Sequence, residues 1–278
     1  MIIQREVITA RQNPTVKRLA SLADKKGRWE SGLFIAEGLK LTLEAAGASL
    51  PVVELVVCES RRDELMPMLL SAFSSAEYEN TRVYFVSSGV FEKISTEKAP
   101  QGVICVIKHL DFFKKMDIIY KEDFFLSAGE RAIFLCSVRD PSNLGSVIRS
   151  SVAFGVEHIV LSSDCADFYN PKVVRSAMGS LFRVKITAVS DTTAFVNAAR
   201  ECGRRVFAAE LTDSARSVDD VGLSPEDIVI IGNEGHGIPA EVSRATDGSI
   251  YIPISERTES LNASVAAAIF MWEQGKKQ

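Results

Sequence analysis

The sequence predicts an α/β protein in two unequal domains, and three observations carry that prediction. From Ala132 onward, short aliphatic runs alternate with helical stretches, which implies right-handed crossovers and a mostly parallel sheet. A smaller set of β-branched runs at 52–58, 82–87 and 102–107 forms a separate α/β unit ending near His109. Three segments of the C-terminal half, at 139–155, 228–239 and 251–273, each read as a strand end, a polar loop and a helix start. Ligands commonly bind at such junctions, because unpaired amides and the helix dipole converge there.

Residues 14–26 place Val16, Leu19, Leu22 and Ala23 at helical spacing, with Pro14 in the first turn and Asn13 as its cap. A short strand at 34–36 and a helix at 37–46 that ends near Gly47 follow. VVELVVC, RVYFVS and GVICVI suit buried strands, with RDELMPMLLSAF as a helical interlude, which completes a domain over 1–109. Residues 110–130 mix aromatics and charges without a clean period and read as a connector with a helical turn. The domain at 131–278 then runs strand AIFLCSV, helix 144–154, strand HIVLSS, helix 171–178, strand RVKITAV, helix 192–202 and strand RVFAAEL. Strands DIVIIGN and SIYIPIS and a terminal helix at 262–273 close it.

The bulk numbers restrict the function classes. At 46% hydrophobic and 24% charged, the 278 residues have the balance of a soluble globular protein. No apolar run reaches the roughly 18–20 residues that span a bilayer, and the first residues lack the order of a signal peptide. The five cysteines are scattered and include no CxxC, and the three histidines lack ligand spacing. Reduced thiols in a metal-free cytoplasmic protein are expected. The net charge of −4 conceals a basic front segment with Arg5, Arg11, Lys17, Arg18, Lys25, Lys26 and Arg28. Such a segment suits phosphates, and it equally suits a solvated helix face.

At the first junction, Ser142 or Asn143 can cap a helix whose buried stripe is Leu144, Val147, Ile148 and Val152, with Gly155 just past its end. Arg149 is a fixed cation off that stripe, which fits a ligand contact or else a surface or salt-bridged arginine. The second junction contains GHGIPA, a match to G-x-G-x-x-A with Glu256 near the spacing of a ribose-binding acid. Only one helix follows that acid, so no dinucleotide-binding half can be completed. Gly232, Gly235 and Gly237 instead let the backbone bend sharply or approach a ligand, and Glu234 is a capping acid or a ligand contact. At the third, Ser260 and Asn262 precede a long apolar helix and, taken singly, fit ordinary caps. Leu261 between them can point into a pocket.

Taken in order, N-x-G…R, then strand–G-x-E-G-x-G, then I-P…S-L-N-x-S-x-A resemble the three motifs of the SpoU (TrmH-like) RNA 2′-O-methyltransferases of the SPOUT superfamily. YNPKVVRSAMGSLFRV resembles that family's linking segment, and NPTVK…FIAEGLKL resembles the RNA-binding domain often fused in front. The resemblance implies a C-terminal domain with a trefoil knot, a ribosomal-protein-like N-terminal α/β domain and a homodimer. It also implies S-adenosylmethionine as cofactor, contacted at Gly232, Ile252 and Leu261 and, more loosely, Leu211. Arg149, Asn143, Glu234, Ser260 and Asn262 become the catalytic set, and Asn13, Lys17, Arg28 and Arg175 the RNA contacts. Glu256 and Arg257 stand where many members carry small residues, and so bear on substrate access. The implied reaction is methyl transfer to a ribose 2′-hydroxyl of structured RNA, with rRNA favoured over tRNA. A non-catalytic RNA-binding protein that retains the fold is the alternative, and cofactor binding distinguishes the two. The family assigns Arg149 to activating the hydroxyl. Its pKa above about 12 suits a phosphate clamp and alkoxide stabiliser better than a base.

Overall fold

The computed structural model describes residues 1–117, 122, 124–255 and 257–276. Contacts divide the chain into two compact units, Met1–Leu110 with Asp167–Phe182, and Asp111–Ala166 with Arg183–Gln278.

The first unit is built on β1 (Ile2–Ile8), β2 (Leu33–Glu37), β3 (Val52–Cys58), β4 (Arg82–Val86) and β5 (Val103–Lys108), ordered β1-β4-β3-β5-β2. Strands β1, β4 and β3 run parallel, while β5 lies antiparallel to both β3 and β2. Helices α1 (Pro14–Ser21), α2 (Lys25–Ser31), α3 (Leu39–Gly47), α4 (Arg62–Ala72) and α5 (Ser88–Ile94) connect them. The single helix expected over 14–26 is two. Val16, Leu19 and Leu22 do fill the core with Val56 and Ile104. The ladder nevertheless ends at Leu22, because the buried Arg28 guanidinium donates to the carbonyls of Leu22 (2.9 Å) and Ala23 (2.7 Å) and so satisfies the helix end. Strand β1 and helix α5 went unread in the sequence. β1 is an edge strand whose residues are mostly exposed, so it carries no apolar alternation.

In the second unit the strands are β6 (Phe113–Met116), β7 (Ala132–Leu135), β8 (His158–Ser162), β9 (Lys185–Val189), β10 (Val206–Ala209), β11 (Arg216–Ser217), β12 (Ile228–Ile231) and β13 (Ser249–Tyr251). They form one sheet, ordered β11-β13-β10-β12-β7-β8-β9-β6, in which every pairing is parallel. Helix α6 (Pro141–Ala153) follows β7, α7 (Pro171–Ala177) follows β8 and α8 (Thr192–Glu201) follows β9. Then come α9 (Val218–Val221), α10 (Ala240–Ala245) and the terminal α11 (Ala263–Gly275). β7, β8 and β12 are buried throughout, as the unbroken apolar runs of a parallel sheet require. The connector expected over 110–130 contributes a strand, since β6 pairs with β9 at the sheet edge. Its residues 118–121 and 123 lie outside the described ones. Helix α11 packs along α6 and β12, and its Gln274 amide donates to the carbonyls of Ala132 (3.2 Å) and Asp227 (2.7 Å), just where β7 and β12 begin.

The stretch 167–182, which includes α7, folds with the first unit, where α7 lies against β2. Arg28 Nε and Nη2 meet Asp167 Oδ2 at 3.1 and 2.6 Å. The Tyr169 hydroxyl accepts from the Leu110 amide at 2.7 Å, and its ring stacks on His109 at 4.2 Å.

At the start of β8, buried His158 faces Glu130 (3.3 Å) and the Thr187 hydroxyl (2.8 Å), and Lys185 also reaches Glu130 at 2.8 Å. Burial pushes the His158 pKa down to about 4, more than the Glu130 carboxylate raises it. The imidazole is therefore neutral in the folded chain, whereas the unfolded chain takes up the proton near pH 6.5. His158 contributes stability that is fully present above about pH 6.5 and declines as pH falls toward 4, by about 3 kcal/mol in all. Urea unfolding of the wild type and His158→Gln at pH 7 and pH 4.5 should show a loss on acidification about 2 kcal/mol smaller in the variant. Equal losses would contradict this account.

Candidate active site

The strand order reverses around β7. The chain moves outward through β8 and β9, then crosses to β10, leaving a place that β12 fills between β10 and β7. In an open parallel sheet such a reversal opens a crevice at the carboxyl ends of the strands. The loops after β7, β12 and β13 begin there, and they carry all three junctions.

After β7 the chain turns at Ser137, whose φ of 59° is unusual for a residue with a side chain. The cap of α6 is Asp140, not the expected Ser142 or Asn143. Its carboxylate accepts from the amides of Ser142 (2.6 Å) and Asn143 (3.0 Å), with Pro141 in the first turn. That leaves the Asn143 side chain free for other work. Its Nδ2 donates to Glu234 Oε1 in a short hydrogen bond, and its Oδ1 accepts from Asn262 Nδ2 at 3.0 Å. One residue from each junction thus meets at Asn143. Asn262 also caps α11, accepting from the Ser264 amide at 2.9 Å.

The loop after β12 is closed by a two-way main-chain pair between Asn233 and Gly237. Gly232 is required by close approach, because a Cβ there would come within 2.6 Å of the Gly237 carbonyl carbon and 2.8 Å of Ile238 Cγ1. Where β10 and β13 end lies a cavity of about 490 Å³ lined by Leu211, Ile252, Ser260, Leu261, Ala266 and Phe270 among others. Leu211 lines it while remaining 78% exposed. Gly232 is not part of that lining. The volume and apolar wall fit a nucleoside-sized ligand.

Arg149 is exposed on α6 and, among the described residues, its side chain makes no hydrogen bond or ion pair. Glu256 lies outside the described residues; Arg257 is exposed, with its amide on the Ser255 hydroxyl at 3.3 Å. Of the expected RNA contacts, Lys17 is exposed, and Asn13 caps α1 through the Thr15 amide at 2.9 Å. Arg28 requires correction. It is buried, and four of its five N–H donors are taken up by Asp167 and two main-chain carbonyls, so its guanidinium is not presented to a phosphate. Arg175 is ion-paired with Glu97.

Two groups escaped the sequence reading. Asp140 had a signal in the Asp-Pro pair. Asp164 had none: Ser162 (2.6 Å), Ser137 (2.7 Å) and Arg139 (2.8 Å) all donate to its carboxylate. Burial alone would raise its pKa, and these hydrogen bonds overcome burial and hold it at about 2.

A parallel α/β sheet with an apolar cavity at the carboxyl ends of β10 and β13, and with a polar cluster drawn from three loops of the same sheet, is the frame of a protein that binds a nucleoside-type cofactor next to a reacting group. Comparison with known proteins makes the class specific. The SpoU rRNA Methylase family matches residues 130–272, and the MRM3-like substrate binding domain matches 13–105. The chain belongs to the SpoU rRNA methylase family. It is 29% identical over 265 residues to the 23S rRNA (guanosine(2553)-2′-O)-methyltransferase RlmP of Bacillus subtilis, covering 95% of this chain and 97% of that one. The 23S rRNA (uridine(2479)-2′-O)-methyltransferase of Streptomyces viridochromogenes is 26% identical, over 96% and 90% of the two chains. An AdoMet-bound rRNA methyltransferase from Sinorhizobium meliloti superposes with a TM-score of 0.80 at 28% identity, covering 98% and 97%.

Proposed function

We propose that this protein transfers a methyl group from S-adenosylmethionine to a ribose 2′-hydroxyl of rRNA. The observation that carries the reading is the meeting of Asn143, Glu234 and Asn262, one from each motif, on the sheet edge that also holds the apolar cavity. When bound, S-adenosylmethionine supplies an electrophilic sulfonium methyl. Leu261, Ile252 and Leu211 would hold it in the cavity wall, with Gly232 fixing the adjacent loop. An apolar wall suits a reaction in which a cation becomes a neutral thioether.

Asn143 spends one N–H on Glu234 and one lone pair on Asn262, and so keeps a second donor and a second lone pair for the ribose. Ser260, in the cavity wall, would share that task. Glu234 and Asn262 hold the loops in register. Arg149 clamps the substrate phosphate and stabilises the alkoxide as the proton leaves to a phosphate oxygen or water.

Residues 1–109 grip the RNA, 110–130 connect, and 131–278 carry out the transfer through the trefoil knot that the family implies. A homodimer belongs to this reading. Val265 and Trp272, seven residues apart and so on one face of α11, are 47% and 55% exposed and would be covered by a second copy. Among the described residues no helix is long and apolar enough to cross a membrane, and the reading places the protein in the cytoplasm with its RNA.

The test is methyl transfer from radiolabelled S-adenosylmethionine to total rRNA, followed by digestion to nucleosides. Label in a 2′-O-methylnucleoside is expected. Label in a base would replace the ribose assignment, and failure to bind S-adenosylmethionine at millimolar concentration would favour the non-catalytic RNA-binding alternative.

A further inference from the structure

Asn233 belongs to none of the residues assigned above, yet every polar group it owns is engaged. Its main-chain N–H donates to the Gly237 carbonyl (3.1 Å), and its carbonyl accepts from the Gly237 amide (2.9 Å). Its Oδ1 accepts from the amides of Gly235 (2.9 Å) and His236 (3.1 Å), bracing the loop from inside. Its Nδ2 leaves the loop and donates to the Ser137 carbonyl at 2.9 Å, on the connection between β7 and α6.

The receiving end is itself fixed. The Ser137 amide donates to Ser162 Oγ at 2.7 Å, and its hydroxyl donates to Asp164 at 2.7 Å. The loop after β12 is therefore hooked onto a braced turn that leads directly into Asn143. The residue after Asn233 is Glu234, whose carboxylate receives the Asn143 amide.

We propose that Asn233 is a positioning residue for methyl transfer, hooking the 232–237 loop to Ser137 so that Glu234 is aimed at Asn143. This rests on the methyl-transfer reading above. Asparagine is the side chain of this length that offers a donor on one side and an acceptor on the other. Aspartate would retain the bonds to Gly235 and His236 but set a carboxylate oxygen against the Ser137 carbonyl, next to Glu234.

The experiment compares the full-length wild type, Asn233→Asp and Asn233→Ala in single-turnover methyl transfer to total rRNA between pH 5 and pH 8.5, with calorimetric titration of S-adenosylmethionine. Both variants should transfer methyl on the order of 10- to 100-fold more slowly, the scale of a misplaced reacting group. Cofactor affinity should stay within about threefold of wild type, because the cavity wall is untouched. The ratio of Asn233→Asp to wild-type rate should rise toward pH 5, as protonation returns a donor to position 233, while the Asn233→Ala ratio stays flat. Wild-type rates in both variants, or a rate loss matched by lost cofactor affinity, overturn the inference alone. A wild-type protein that methylates no ribose overturns the underlying reading, and this inference with it.

Discussion

Arg149→Ala is expected to lower single-turnover methyl transfer by at least about 100-fold, the scale seen when one stabiliser of a developing oxyanion is removed. S-adenosylmethionine affinity and the thermal midpoint should remain near wild type. The structure makes this separation clean. Arg149 is exposed and has no partner among the described residues, so its removal strands no buried group. Helix α6 is held without it, by the Asp140 cap and by Leu144, Val147 and Ile148 in the core. Arg149→Lys should recover only part of the rate, because an ammonium retains the charge but loses the planar fork that grips a phosphate. Equilibrium cofactor titration beside the rate measurement decides the matter. Near-normal turnover in Arg149→Ala would move the charge-stabilising role elsewhere on the site.

What was legible in the sequence followed from rules that act over a few residues. The apolar runs of β7, β8 and β12 signal a buried parallel sheet because both faces are covered. Asn13 before Pro14 signals a cap, and the Thr15 amide takes it up. Gly232 signals a tight backbone, and in the structure the group that crowds it is Gly237 of its own loop. Local rules fail where two candidates obey the same rule. Asp140, Ser142 and Asn143 are all good caps, and only the geometry assigns Asp140 and frees Asn143. They fail again where the deciding partner is remote in sequence. β6 is a short edge strand with charged residues, recognisable only beside β9. The basic count over 1–28 treats each cation alike, although Arg18 is spent on Glu54 and Arg28 on Asp167. Lys17 remains exposed and available to a phosphate.

Arg28→Ala is accordingly expected to act on stability and not as the loss of a phosphate contact. The pair it forms is nearly sealed from water, with side chains 2% and 6% exposed, and Asp167 lies 139 residues away in sequence. Removing the guanidinium leaves a buried carboxylate and the carbonyls of Leu22 and Ala23 without their donor. Breaking one side of a buried ion pair in this way costs about 3–5 kcal/mol. Pairing Arg28→Met with Asp167→Leu should recover much of that loss, because two apolar side chains leave no charge stranded. Urea unfolding of the single and double variants measures the difference. The salt dependence of RNA binding supplies the contrast: its slope should be unchanged in Arg28→Ala and shallower by about one in Lys17→Ala. A shallower slope in Arg28→Ala without loss of stability would restore Arg28 to the RNA surface. The same pair governs truncation. The 167–182 stretch folds with the N-terminal residues through Arg28, Trp29, Phe34 and His109, so a cut at residue 108 would expose Asp167, Phe168 and Tyr169 together. Loss of activity in such a fragment would report the exposed segment as much as any missing RNA contact, and the Arg28 series separates the two.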